Sequence, residues 1–387
     1  MIYKDMEPYL HTRLCDILEI QYPICLAGMG GLRGRFTPPE LVAAVSNAGG
    51  LGVMGAAGIP VPELRNKIRR IKELTDKPFG VDLLLPAKVD RTGAGKEGLR
   101  YEDAIRQIRR DHPEHVEFVE SLIGEFGIEE AAAQHRVRER DPQDRTVKNQ
   151  VDVIFSEEVP VFAAGLGDPG WVVPLAREAK AKVMGLSGSV RNAERQLNAG
   201  VDVIVSQGTE AGGHTGKIAT MPLVPQIVDC VNPTPVVAAG GIGDGRGIAA
   251  SLALGAEGVW IGTAFLASTE SGIYEGQQDS IIAGHSGDFE ISRSYTGKTA
   301  RQFRNPIVEA WENSSLPPLP MPLQGILMSE FGFAAERSGR HDLVFTPSGQ
   351  VSGLIKEVRP AADIMVDLVS TTIACLEGVK DRVSFLP

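Results

Sequence analysis

The chain has 387 residues, of which 43% are apolar and 23% are charged, so it can form one α/β barrel or two ordinary domains. Its net charge of −10 argues against a general nucleic-acid binder, which normally presents a basic surface. No apolar run approaches the ~20 residues that span a bilayer, and the N-terminal stretch lacks the apolar centre of a signal peptide. We therefore expect a cytoplasmic globular protein with no membrane or nucleic-acid partner.

Cysteine spacing and motif content argue against several kinds of chemistry. The four cysteines are far apart and form no CxxC pair, which disfavours a zinc–cysteine site and a disulfide framework. The sequence contains neither an HExxH motif nor a GxSxG elbow. We therefore expect no metal site and neither metalloprotease nor α/β-hydrolase chemistry.

Three strands and two helices alternate in the first 85 residues. Apolar runs predict strands near residues 24, 52 and 81. Helical spacing follows the first two strands, at Pro38–Asn47 and Val61–Leu74. This alternation is typical of a parallel sheet.

A highly charged segment, residues 86–146, interrupts the alternation after the third strand. Apolar residues recur with helical spacing at Val116, Val119, Leu122 and Ile123, and no strand is predicted there. We interpret the segment as a helical insertion whose charged residues form a solvated face. The alternatives are a lid over the active face and an oligomer contact, which would suit a homodimer.

Five more strands are predicted after the insertion, near residues 161, 183, 204, 237 and 260. Eight parallel strands are the number that closes a (β/α)8 TIM barrel; a doubly wound open sheet is the alternative. We therefore predict an α/β barrel core over 1–85 and 147–270. Residues 271–387 are predicted to be a C-terminal helical extension that packs on the barrel, with helices at Gln324–Arg337 and Ala361–Leu376.

Glycines concentrate in the loops after the first, sixth, seventh and eighth predicted strands, where a TIM barrel binds its ligands. The sixth loop carries His214 among four glycines, and an imidazole held there is suited to proton transfer. Backbone N–H groups of Gly240, Gly241, Gly262 and Thr263 are predicted to hold a phosphate. Since GGIGDG is neither a Walker A loop nor a dinucleotide fingerprint, we expect another cofactor with a phosphate tail beside His214.

Three runs resemble the nitronate monooxygenase family, formerly called 2-nitropropane dioxygenases: QGTEAGGHTG (Gln207–Gly216), VVAAGGIGDGRG (Val236–Gly247) and GVWIGTAFLAS (Gly258–Ser268). Two later runs are similar to the same family, YTGKTARQFRN (Tyr295–Asn305) and GQVSGLI (Gly349–Ile355). Flavin-type enoyl-ACP reductases and some NADH:quinone reductases belong to the same superfamily. The similarity covers most of the chain outside the insertion.

The resemblance implies an FMN-dependent (β/α)8 oxidoreductase in which His214 is the catalytic base or orients the substrate beside the flavin. The implied flavin contacts are Ala27, Gly28, Met29, Asp82, Gln207, Gly212 and Gly213. The implied phosphate contacts are Gly240, Gly241, Gly262 and Thr263, the same residues that barrel geometry indicates.

The chain departs from the family pattern at two positions. Asp82 ends the third strand, where the family usually has an asparagine whose amide contacts the flavin. An ionised carboxylate there would disfavour an anionic reduced flavin. The first loop reads AGMGG, where many relatives have a proline before the methionine.

Two activities on a small-molecule substrate remain open. The first is oxidation of alkyl nitronates with O2. The second is reduction of an enoyl or acyl thioester, or of a quinone, with NADH or NADPH as electron donor; the GKIATMPL segment favours this branch. For an acyl-CoA, the basic residues of the insertion that could contact the CoA phosphates are Lys88, Arg91, Lys96 and Arg100. A non-enzymatic flavin-binding protein is the third hypothesis, and the intact His214 loop argues against it.

Overall fold

The computed structural model describes residues 10–30, 34–85, 101–134 and 147–383. The strands in these residues are β1 (Ile24–Leu26), β2 (Gly52–Gly55), β3 (Phe79–Leu84), β4 (Val161–Gly165), β5 (Lys182–Ser187), β6 (Val203–Gln207), β7 (Gly213–His214), β8 (Val236–Ala239), β9 (Gly258–Ile261), β10 (Phe289–Ser292) and β11 (Ala300–Phe303). Eight of them form one parallel sheet in the order β1-β9-β8-β6-β5-β4-β3-β2. A parallel bridge between Cys25 and Leu51 joins β1 to the start of β2 and closes the sheet. The predicted (β/α)8 barrel is thus confirmed.

Helices follow the barrel strands and continue through the rest of the chain. They are α1 (Arg13–Leu18), α2 (Pro39–Asn47), α3 (Val61–Leu74), α4 (Tyr101–Asp111), α5 (Pro113–Glu125), α6 (Glu129–Ala132), α7 (Val147–Ser156), α8 (Val173–Glu178), α9 (Val190–Ala199), α10 (Thr220–Val231), α11 (Gly245–Ala253), α12 (Thr263–Leu266), α13 (Glu275–Ala283), α14 (Pro306–Asn313), α15 (Leu323–Leu327), α16 (Ser329–Arg337) and α17 (Ala361–Arg382). Among the described residues, no helix is both long enough and apolar enough to cross a lipid bilayer.

The barrel strands are buried on both faces, which explains their continuous apolar runs. Val203 and Val205 pack in the barrel interior, whereas Ile204 packs outward against the surrounding helices. In β3, Val81 and Leu83 belong to the outer layer, so Asp82 between them faces inward near the carboxyl end of the strand. This alternation places Asp82 at the end of the barrel where the glycine-rich loops lie.

The insertion and the C-terminal region share a second hydrophobic core. The described part of the insertion is helical, as predicted, and its helices α4, α5 and α6 contribute apolar residues that include Val119 and Leu122. They pack with residues of α14 and α16 in the C-terminal region, among them Trp311 and Phe331. The centroid of the Phe118 ring lies 4.9 Å from that of Trp311, in an edge-to-face arrangement.

The C-terminal region also contains a β-hairpin, which the sequence analysis did not predict. Strands β10 and β11 pair antiparallel from Phe289↔Phe303 to Ser292↔Ala300. On its other edge β11 pairs with β7, the two-residue strand that contains His214. Because each strand has only four residues or fewer, the apolar alternation is too brief to separate it from a loop. The hairpin brings the C-terminal region to the mouth of the barrel.

Candidate active site

The loops at the carboxyl ends of the barrel strands enclose a cavity of about 1340 Å³. This volume exceeds the range of about 300–1,000 Å³ that is typical of one small ligand, so a cofactor and a substrate can occupy it together. All twelve site residues proposed from the sequence line the cavity: Ala27, Gly28, Met29, Asp82, Gln207, Gly212, Gly213, His214, Gly240, Gly241, Gly262 and Thr263. The C-terminal region supplies further lining residues, among them Thr296, Lys298 and Met328.

The backbone of His214 is held from two sides. In the β7–β11 ladder His214 is paired with Ala300. From the barrel side, Gln207 Nε2 donates a hydrogen bond to the His214 carbonyl oxygen at 3.2 Å. Buried Arg301 donates from Nε and Nη2 to the carbonyl oxygen of Thr209 at 3.1 and 3.0 Å, which fixes the start of the same loop. The imidazole therefore extends from a well-anchored backbone.

Close packing requires glycine at two of the predicted positions. A Cβ on Gly212 would lie 2.7 Å from the carbonyl carbon of Ser348, because the C-terminal loop packs directly on the His214 loop. A Cβ on Gly28 would lie 2.3 Å from the Cβ of Asp82. These glycines let neighbouring loops approach each other at the cavity wall.

The hydrogen bonds around the His214 ring indicate which of its two nitrogens carries the proton. Thr296 Oγ1 donates to the carbonyl oxygen of Lys298 at 3.0 Å, so this hydroxyl presents a lone pair to His214 Nε2, 3.2 Å away. Nε2 therefore carries the ring proton, and Nδ1 is the basic nitrogen. Desolvation, followed by the charge of Lys298, lowers the pKa of His214 to about 4. The imidazole is thus neutral at physiological pH, which is the form that can accept a proton.

Lys298 places an unpaired cation beside His214. Its side chain is partly buried in the cavity wall, and no carboxylate among the described residues forms a salt bridge with it. Desolvation alone lowers the pKa of its amine. A bound anionic group would restore the interactions that the ammonium loses on burial.

Asp82 is a buried carboxyl group with one free oxygen at the cavity. Oδ1 accepts a hydrogen bond from the backbone N–H of Gly165 at 3.2 Å. Oδ2 lies on the side of Gly28, where it reaches the cavity. Desolvation raises the pKa of Asp82 to about 7 and outweighs the hydrogen bond from Gly165, which lowers it. Protonated Asp82 resembles asparagine in offering both a donor and an acceptor.

The loops after β8 and β9 form the end of the cavity predicted to hold a phosphate. Gly240 and Gly241 have φ values of +96° and +72°, which a side chain would strain. Thr263 Oγ1 accepts a hydrogen bond from the N–H of Gly349 at 2.9 Å, so the C-terminal loop orients its hydroxyl. Asp244 caps α11 by accepting hydrogen bonds from the N–H groups of Arg246 and Gly247.

Sequence reasoning did not identify three residues that shape this site, Thr296, Lys298 and Arg301. All three lie in the run YTGKTARQFRN, whose polar and basic residues are the signal that could have found them. Their roles depend on the β7–β11 pairing, which joins positions far apart in the chain. The four basic residues proposed to contact CoA, Lys88, Arg91, Lys96 and Arg100, lie outside the described residues.

The chain is similar to known proteins over almost its whole length. The family model for nitronate monooxygenase matches residues 11–371. Rv1533 of Mycobacterium tuberculosis, which is named as a monooxygenase, is 40% identical over 96% of this chain and 100% of that protein. The structure of FabK from Thermotoga maritima is 30% identical with a TM-score of 0.73, over 97% of this chain and 100% of that one. A nitroalkane oxidase from Streptomyces ansochromogenes is 26% identical with a TM-score of 0.76, over 95% and 99%.

The substitution Asp82→Asn should stabilise the protein at high pH. The unfolded carboxyl titrates near 4 and the folded one at about 7, so the wild type loses stability through this group as pH rises from 4 to 7. Asparagine keeps the hydrogen bond from Gly165 and does not ionise. The gain should be near zero at pH 4 and roughly 2–4 kcal/mol at pH 8.

Chemical denaturation at both pH values measures this difference. Asp168→Asn is the matched control, because Asp168 is an exposed carboxylate that also accepts one backbone N–H, from Gly170 at 2.8 Å. An equal effect of Asp82→Asn at pH 4 and pH 8 would contradict the burial argument.

Proposed function

Because the chain belongs to the nitronate monooxygenase family, we propose that it is an FMN-dependent oxidoreductase that oxidises alkyl nitronates with O2. The observation that carries this proposal is the juxtaposition of a neutral imidazole, His214, with the unpaired ammonium of Lys298 in one cavity. A nitronate is an anion whose charge lies on the nitro oxygens, next to the carbon that reacts. The ammonium matches the charge on the nitro oxygens, and the imidazole could accept the proton that a neutral nitroalkane loses when it becomes a nitronate.

The cavity suits FMN in shape and chemistry. The loops of Gly240, Gly241, Gly262 and Thr263 would hold the phosphate, and the walls near Met29, Asp82 and Gln207 would contact the ring. The chemistry that FMN supplies when bound is acceptance of electrons from the substrate and their transfer to O2. In its protonated form, which its raised pKa of about 7 favours, Asp82 could donate a hydrogen bond to the ring without adding negative charge.

With a neutral nitroalkane as substrate, His214 would remove the proton of the carbon that bears the nitro group; with a nitronate, which has already lost this proton, it would orient the substrate. Its Nε2–H is held by Thr296 Oγ1, so Nδ1 presents a lone pair that can remove a proton or orient the substrate carbon. Backbone pairing with Ala300 and the hydrogen bond from Gln207 keep the ring in place during this step. Preorganisation of this kind reduces the entropy lost in reaching the transition state.

Lys298 would bind the nitronate oxygens. A charge-assisted hydrogen bond from its ammonium would stabilise the anion that the His214 base produces or that binds preformed. Its position among largely apolar walls strengthens the attraction, because few waters compete for either charge. The same residue would discriminate against neutral substrates of similar shape.

A nicotinamide-dependent reductase is the second candidate. Two observations favour it: FabK matches the full chain with a TM-score of 0.73, and the cavity volume leaves room for a substrate larger than a nitroalkane. In that reaction NADH or NADPH would be the electron donor, and an enoyl or acyl thioester, for example an acyl-CoA, or a quinone would be the acceptor. His214 and Lys298 would then contact the thioester carbonyl or the quinone oxygen.

Anaerobic mixing of the flavin-loaded protein with each donor distinguishes the two candidates. We expect propyl-2-nitronate to bleach the flavin absorption band rapidly, with NADH and NADPH at least about 100-fold slower. Rapid bleaching by a nicotinamide and none by the nitronate would replace the first candidate with the second. Failure of the purified protein to bind FMN at all would contradict both.

Replacement of His214 by alanine should lower turnover of the neutral nitroalkane about 10²–10⁴-fold, because the positioned base is lost while the cofactor contacts remain. Steady-state oxygen consumption measures turnover, and the absorption spectrum reports retention of flavin. Thr296→Val should lower turnover too, since it removes the acceptor that fixes the ring proton, whereas Thr296→Ser should preserve it. Loss of flavin from His214→Ala would assign His214 a structural role instead.

Replacement of Lys298 by methionine should raise KM for propyl-2-nitronate by about 10–100-fold and leave KM for the neutral nitroalkane nearly unchanged. Methionine keeps the length and apolar stem of lysine and removes only the charge. Lys77→Met, at an exposed position away from the cavity, is the matched control. An equal rise in KM for the charged and the neutral substrate would show that Lys298 contributes packing and not charge.

A further inference from the structure

A histidine in the second core has an unusual set of hydrogen-bond partners. His115 lies at the start of α5, is 5% exposed, and faces the Trp311 ring at a centroid distance of 6.1 Å. Its Nε2 is 3.0 Å from the carbonyl oxygen of Pro317, and its Nδ1 is 3.0 Å from Oε1 of Glu114. The carbonyl oxygen of Pro317 can only accept hydrogen bonds, and so can the oxygens of Glu114 when it is ionised. Both ring nitrogens therefore face hydrogen-bond acceptors.

These contacts identify the ring nitrogen of His115 that could bind a metal ion. The carbonyl of Pro317 cannot donate, so Nε2 is the nitrogen that donates to it. Nδ1 is then the nitrogen that faces the Glu114 carboxylate, with 3.0 Å between Nδ1 and Oε1.

A third potential metal ligand lies beside His115 and Glu114. His112 immediately precedes α5, and its ring centroid lies 5.5 Å from that of His115 in an edge-to-face arrangement. One ligand atom from each of His112, Glu114 and His115 lies within 4.8 Å of the others. Ligands of a tetrahedral zinc ion with bonds of about 2.0–2.2 Å are roughly 3.3 Å apart, so small side-chain rotations bring the three to bonding distance.

We infer that His112, Glu114 and His115 form a binding site for a divalent transition-metal ion, for which Zn²⁺ has the best-matched ligand chemistry. Two imidazoles and one carboxylate suit zinc, whereas Mg²⁺ and Ca²⁺ prefer oxygen ligands alone. Donation of the other ring N–H to a backbone carbonyl, as from His115 to Pro317, is the arrangement that orients histidine ligands in metal sites. Glu114 is about half exposed, so solvent can supply the remaining ligand.

The site joins the insertion to the C-terminal region. Its ligands belong to the segment that begins α5, while Pro317 and Trp311 belong to the chain around α14. A bound ion would fix the His115 ring and, through Pro317, the packing of the second core. Its predicted role is structural and independent of the proposed redox activity. No metal site was expected from the sequence, because it contains neither an HExxH motif nor a CxxC pair and the ligands here lie in the run HPEH.

Zinc titration of the metal-stripped, flavin-loaded protein against a chromogenic chelator tests the site. We expect one Zn²⁺ per chain with a Kd at or below about 1 μM, weakened about tenfold or more in His112→Asn and in Glu114→Gln. Both changes lie at accessible positions and leave buried His115 intact, and circular dichroism verifies that each variant is folded. Zinc should also raise the Tm of the wild type and not of the variants.

His11→Asn is the matched control. His11 and Asp16 form an exposed histidine–carboxylate pair with Nε2 and Oδ1 3.1 Å apart, so this variant measures zinc bound by an ordinary surface pair. It should keep wild-type affinity and stoichiometry. Absence of saturable zinc binding, or wild-type affinity in either His112→Asn or Glu114→Gln, would overturn the inference. Flavin reduction by nitronate is assayed separately, so failure of one proposal does not affect the other.

Discussion

The pairing of β7 with β11 is the interaction on which the candidate active site depends. It joins His214, from the loop after the sixth barrel strand, to Ala300, from a hairpin in the C-terminal region. Two further contacts act on the same loop: Arg301 holds the Thr209 carbonyl, and Thr296 fixes the ring proton of His214. A barrel without this hairpin would keep the imidazole but lose its orientation. The C-terminal region is therefore part of the site and not an accessory to the barrel.

Desolvation acts on three ionisable groups of the cavity in the direction that favours their neutral forms. It raises the pKa of Asp82 and lowers the pKa values of His214 and Lys298. The ammonium of Lys298 also lowers the pKa of His214, since it disfavours an imidazolium beside it. Such a cavity attracts an anion strongly, because binding one stabilises the ammonium without requiring a new charge on the protein. This property links the geometry to an anionic substrate.

Much of the fold and of the candidate site could be predicted from the sequence. Strand spacing and β-branched runs such as Val203–Val205 identified the barrel, and glycine-rich loops located residues that line one cavity. The hairpin, the second core and Lys298 could not be found this way, because they depend on pairing between distant segments. The raised pKa of Asp82 could not be predicted from the sequence either, because the shift depends on the burial of the carboxyl group. Gly28 and Gly212 were predicted as flavin contacts. In the structure they also allow neighbouring loops to pack against each other.

Helix α16 connects the second core to the chemistry of the barrel. Ser329 and Gly332 on one side of the helix line the cavity, whereas Phe331 and Ala335 on the other side are fully buried in the second core. The position of the cavity wall is therefore set by how α16 packs against the insertion helices and α14. Because a packed core transmits small displacements without absorbing them, changes far from His214 can alter the width of the substrate cavity. The described helices of the insertion thus help to position one wall of the cavity through α16.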